Sequence, residues 1–152
     1  MKKLISVITM LCLFLAASGC GTETTTTVST ADDGKLHVVL LVNGNLGDMS
    51  FFDSANEGVE RLNAEYGDRI DAKTIEMGTT QTNWETTLYR VSKQDYDLII
   101  CATTQMREAL PRVSRQYPDK RYVIFDSEIE DGKAADYPNV HSTPAHPSRP
   151  PT

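Results

Sequence analysis

The chain has 152 residues, with 21 acidic against 15 basic side chains and a formal net charge of −6. That balance offers no broad basic surface, which argues against nucleic acid or anionic lipid headgroups as binding partners. The 3 cysteines, Cys12, Cys20 and Cys101, are too few and too scattered for a disulfide framework.

The first residues read MKKLISVITMLCLFLAASGC. Lys2 and Lys3 form a positive start, and residues 4–17 form an almost uncharged apolar stretch, the layout of a secretory signal. That stretch is shorter than the roughly 20 residues a helix needs to cross a bilayer core. It ends in Ala17-Ser18-Gly19-Cys20, which resembles the lipobox of bacterial lipoproteins, with Ala17 where a leucine is usual. The expectation is a signal over residues 1–19 and lipidation of Cys20, placing the protein on the extracytoplasmic face of the cell membrane. An ordinary secretory signal with an incidental cysteine is the other reading. Cleavage would remove Cys12, Lys2 and Lys3, leaving about 130 residues, enough for one domain with a core.

Residues 21–35, GTETTTTVSTADDGK, have almost no apolar content and, with Cys20, predict a solvated tether over 20–35. The domain is expected over 36–142. Residues 36–42, LHVVLLV, are aliphatic and β-branched without polar alternation, which predicts a strand covered on both faces. Ser50 with Asp53 fits a capping box, and Phe52, Ala55, Val59, Leu62 and Tyr66 follow at helical spacing. Phe51 sits about 100° around the helix from that stripe and points away from the sheet-packing face.

Residues 70–76 predict a second strand, and Thr82 with Glu85 makes another capping box before Trp84, Leu88 and Val91. Residues 97–101 predict a third strand ending in Cys101, read as a small buried hydrophobe. Met106, Leu110, Val113 and Tyr117 predict a third helix that Pro111 should kink or restart. Residues 122–125 predict a fourth strand, ending at Asp126. Pro144, Pro147, Pro150 and Pro151 exclude helix and interior strand near the end. Residues 143–152 are expected to be a disordered or out-of-frame tail, and His141 and His146 have no acidic or cysteine neighbour to complete a metal site.

Strands alternating with helices call for an α/β fold, a parallel sheet with flanking helices joined by right-handed crossovers. Ligands then bind beyond the carboxyl ends of the strands. Gly44-Asn45-Leu46-Gly47 stands at such a position, but there is no GxGxxG or GxxxxGK, and Met49 stands where a positive side chain would help hold a phosphate. No GxSxG, HExxH, CxxC or paired His/Cys arrangement is present, so neither an enzyme nor a bound cofactor is expected. What remains is Phe51 with the short polar groups of Asn43, Asp48, Thr103, Thr104, Gln105 and Asp126. An aromatic face with a few directed hydrogen bonds suits a small planar ligand. Core packing would explain Phe51 equally well, and capping or solvation would explain Asp48 and Asp126.

The segments VNGNLGDMSFFDSANEG, NWETTL, YDLIICATTQMREAL, YPDKRYVIFD and YPNV occur in this order. They resemble the basic membrane protein, or PnrA-like, family of ABC-transporter substrate-binding lipoproteins, which includes purine nucleoside receptors. The likeness covers Val38 to about Ser142. It rests chiefly on Asp48-Met49-Ser50-Phe51 and on the run from Tyr117 to Asp126. It implies a type I periplasmic-binding-protein fold of two α/β lobes, of which this chain carries part of the first. By position, Phe51 inherits the aromatic that stacks on the purine. The family's asparagine after that aromatic is Phe52 here, its early aspartate falls near Asn43, and its glycine-rich turn is Ala102-Thr103-Thr104.

Family members are much longer, so the resemblance implies a truncated binding protein, lipid-anchored, for a nucleoside-like solute, with an ABC permease as its membrane partner. A regulatory or interaction lipoprotein using the same lobe without transport is the alternative. A sheet cut before its last strands predicts an unpaired edge and uncovered apolar surface.

Overall fold

The computed structural model describes residues 33–47, 49–129 and 134–143. The expected signal, Cys20, most of the tether, Asp48 and the proline-rich end lie outside them. Five strands, β1 (Leu36–Val42), β2 (Ile70–Glu76), β3 (Leu98–Ala102), β4 (Arg121–Phe125) and β5 (Val140–Thr143), form one sheet in the order β2-β1-β3-β4-β5. Every neighbouring pair is parallel. The helices are α1 (Phe51–Tyr66), α2 (Gln81–Ser92) and α3 (Ala109–Ser114), with 3₁₀ turns at Thr104–Met106 and Ala134–Asp136.

Val38 through Val42 are buried at consecutive positions. This is what an aliphatic strand without alternation requires, since β1 is paired on both edges and covered on both faces. From β1 the chain steps one way across the sheet to β2, then returns past β1 to β3. Right-handed crossovers moving in opposite directions put their helices on opposite faces. The core divides accordingly. On one face Val38, Leu40, Val42 and Ala72 lie under Val59, Phe52 and Ala55 of α1. On the other, Val39, Leu41, Ile99, Cys101, Tyr122 and Ile124 lie under Trp84, Leu88 and Val91 of α2 and Leu110 and Val113 of α3.

The local signals are met unevenly. Helix α1 starts where the stripe begins, but the Ser50 side chain makes no capping bond. The Thr82–Glu85 capping box does not form, because Thr80 is the N-cap and both residues fall inside α2. Glu85 instead clasps Arg112 of α3 with two bonds of 2.9 and 2.8 Å. Pro111 does restart the chain, since a 3₁₀ turn precedes it and α3 begins two residues before it, so its missing N–H falls in a first turn where none is needed. β5 was not expected from the sequence; it is four residues long and lies at the edge of the described sheet, the position a short polar strand tolerates.

Asn139 ties the last strand to the rest. Its Nδ2 lies 3.1 Å from the carbonyl oxygens of Ser114, Tyr117 and Lys120, so two N–H groups are shared among three acceptors. Its own carbonyl accepts from Tyr122 N at 2.8 Å. Asn139→Ala removes both donors and is expected to cost about 1–3 kcal/mol, read as a lower urea midpoint at unchanged slope. Cys101 is fully buried, and burial pushes its thiol up to about 12. It should resist alkylation in the folded protein and react only on denaturation, as mass spectrometry after iodoacetamide would show.

Candidate functional site

The carboxyl ends of β1 and β3 are adjacent, and the chain leaves them toward opposite faces, which is where sheets of this topology place a ligand crevice. After β1 the chain folds back on itself. Leu46 N donates to Glu76 Oε2 at 2.8 Å, Gly47 N donates to Asp53 Oδ1 at 2.8 Å, and Met49 N donates to the other Asp53 oxygen. Gly78 N donates to Gly44 O at 3.1 Å, tying the loop after β2 to the loop after β1. Asp53 thus works at the start of α1, holding the loop that delivers Phe51.

Three of the expected polar residues meet across the crevice. Asn43 ends β1 and is only 7% exposed. Its Nδ2 lies 3.0 Å from both Thr103 Oγ1 and Gln105 Oε1, in the segment after β3. The Thr103 hydroxyl has one hydrogen and two acceptors beside it, Gln105 Oε1 and, at 3.3 Å, Asn43 Oδ1. Thr103 adopts φ 64°, ψ 171°, which a side chain disfavours, and Thr103 N donates to Phe125 O at 3.1 Å. The cluster therefore satisfies itself in this state.

The aromatic group is separate. The Phe51 ring stacks on Phe125 with centroids 5.4 Å apart and planes 22° from parallel, and meets Phe52 edge-on at 5.6 Å. Phe51 keeps 43% of its surface exposed, but its ring lies against Phe125 of the sheet and does not turn away from the sheet-packing face as its place off the helical stripe predicts. Asp126, next along the chain, has φ 55°, is exposed, and has no partner for its carboxylate among the described residues. Phe125 was missed by sequence reasoning although its signal was present. Alternation from the buried Tyr122 and Ile124 places Val123 and Phe125 on the α1 face, where Phe51 arrives.

Phe52 turns inward. A Cβ placed on Gly44 would lie 2.6 Å from the Phe52 ring, so the ring packs on bare backbone. It joins the core beneath α1 and offers no hydrogen bond at the position where the resemblance has an asparagine. Thr104 also parts from the group. It lines a cavity of about 410 Å³ on the α3 side, with Arg107, Glu108, Pro111, Arg112, Ile129 and Tyr137. Asp48 lies outside the described residues. Among the described residues no group of three His, Cys, Asp or Glu side chains is placed to hold a metal ion.

The family model described as ABC transporter substrate-binding protein PnrA-like matches residues 35–143. The chain belongs to this family. An uncharacterized lipoprotein of Pyrococcus abyssi is 30% identical over 134 residues, covering 84% of this chain and 31% of that protein. Among solved structures, an ABC transporter solute-binding protein from Aeropyrum pernix K1 superposes with a TM-score of 0.61 at 29% identity, covering 70% of this chain and 28% of its own. One from Conexibacter woesei DSM 14684 gives 0.57 at 24% identity, with 70% and 34% covered, a likeness of fold. The chain therefore spans about a third of the length of these relatives.

The close approach of the Phe52 ring to Gly44 is what seats Phe52 in the core beneath α1. Gly44→Ala should push the ring off the sheet and lower stability by about 1–3 kcal/mol, measurable as a fall in melting temperature. Gly58→Ala, with nothing within 4 Å of the added carbon, should not.

Proposed function

We propose that this chain forms the ligand-facing part of the first lobe of an extracytoplasmic solute-binding protein. It would be anchored by a lipid on Cys20 and would deliver a purine nucleoside or similar small solute to an ABC permease. The observation that carries the reading is the half-exposed Phe51 ring, held at the switch-point end of a parallel sheet by the Asp53-pinned loop.

In this reading the solute's ring stacks on Phe51, and Asp126 accepts hydrogen bonds from its hydroxyl groups. Asn43, Thr103 and Gln105 exchange bonds made among themselves for bonds to the solute. Thr104 and Asp48 contribute at the margin. Membership of a substrate-binding family supports binding without turnover, and no metal, cofactor or nucleic acid is called for. The lipoprotein among the relatives supports the anchor at Cys20.

Titration of purine nucleosides by calorimetry tests the ligand. Phe51→Ala is expected to weaken binding by about 1–3 kcal/mol, the usual worth of a base stacked on an aromatic ring, with a fall in melting temperature from the lost contacts with Phe125 and Phe52. Saturable binding unaffected by this substitution would remove Phe51 from the site. No binding of any nucleoside would remove the solute class.

A further inference from the structure

Three features of the crevice are uncommitted or committed in ways that bear on what it selects. The amide groups suited to reading the edge of a base, Asn43 and Gln105, are bonded to each other and to Thr103, so bonds they make to a solute replace existing ones and add little preference for a neutral ring. The inner face of Phe51 is covered by Phe125, so only the outer face is open to a ligand. Asp126 presents a carboxylate with no partner among the described residues, one residue beyond Phe125.

The surrounding charge points the same way. Among the described residues, the segments 43–50, 77–80 and 126–129 contain no lysine or arginine. Arg107, in the segment after β3, lines the separate cavity on the α3 side with Thr104 and Tyr137. Of the nearby acids, Asp53 and Glu76 are engaged by main-chain N–H groups, while Glu128 is exposed next to Ser127.

We propose that Phe125 and Asp126 make the Phe51 platform select planar solutes whose ring carries a positive charge. The inference rests on the solute-binding reading above and names the class within it. An aromatic ring is negative on its face, and two stacked rings present that face along one axis, so a cationic ring on Phe51 is attracted by both. The Asp126 carboxylate, while accepting from the solute's hydroxyl groups, also adds a full negative charge one residue beyond Phe125, which attracts a cationic ring and gives a neutral one no such gain. Asp126 acts on the ligand directly, whereas Phe125 is a positioning residue that fixes which face of Phe51 is open.

The test compares adenosine with N1-methyladenosine, which has the same sugar and ring system but carries a positive charge at neutral pH, by calorimetric titration of the full chain in low salt. The charged nucleoside should bind roughly tenfold more tightly, with the advantage shrinking as salt is added. Asp126→Asn should abolish the preference at unchanged melting temperature, since the residue is exposed and asparagine accepts a positive φ. Phe125→Leu should reduce the preference and Phe125→Tyr should restore it; if the leucine variant fails to fold, Asp126→Asn alone decides. Equal or tighter binding of adenosine overturns the charge selection and leaves the solute-binding reading standing. Failure of both nucleosides to bind overturns both.

Discussion

β1 must be covered on both faces and paired along both edges, because Val38 to Val42 expose almost nothing at consecutive positions. Pairing with β2 on one side and β3 on the other satisfies the edges. The two right-handed crossovers this demands carry α1 and α2 to opposite faces and satisfy the rest. The same arrangement decides where a ligand can sit. Chain paths part at the carboxyl ends of β1 and β3, the place where such a sheet receives a ligand, and there Asn43 and Thr103 meet at 3.0 Å.

Strain gathers at that edge. Among the described residues, the non-glycine positions with positive φ are Met49, Thr103 and Asp126, each just beyond a strand of the sheet or in the loop leading from one. Such conformations cost of order 1–3 kcal/mol each and persist only where neighbours enforce them. The enforcing contacts can be named for two of them. Asp53 holds Met49 N, and Phe125 O holds Thr103 N. The opposite edge is ordinary by comparison. There, His37 sits between Asp33 and Asp71 at 3.1 and 3.4 Å, and Lys73 beside Asp71 holds its carboxyl below the usual carboxylate range.

The described sheet ends in a short edge strand, and its α1 face is only partly roofed. Helix α1 packs over β1 and β2, which leaves Leu98, Ile100, Val123 and Phe125 half-buried on the same side. The Phe51–Phe125 stack stands at one end of that strip and covers part of it. Exposure of apolar surface and aromatic presentation at the crevice are thus linked through one residue, Phe125.

Much of this was legible in the sequence, and the gaps have physical causes. Four strands, the stripe of α1, the restart at Pro111 and the burial of Cys101 all follow from periodicity, propensity and the one missing N–H of proline. Those are properties of a few neighbouring residues. The Thr82–Glu85 box failed because the helix begins earlier, at Gln81 with Thr80 as its N-cap, which leaves Glu85 inside α2 to bond Arg112, 27 positions away, and β5 escaped notice because four residues carry too little pattern to register. What only tertiary structure decided was how distant groups are spent. Asn43 is consumed by Thr103 and Gln105, Phe52 by Gly44, one face of Phe51 by Phe125, and Thr104 faces a different cavity. A sequence states which groups are available; which of them remain free for a ligand depends on through-space partners brought together only when the parallel sheet closes.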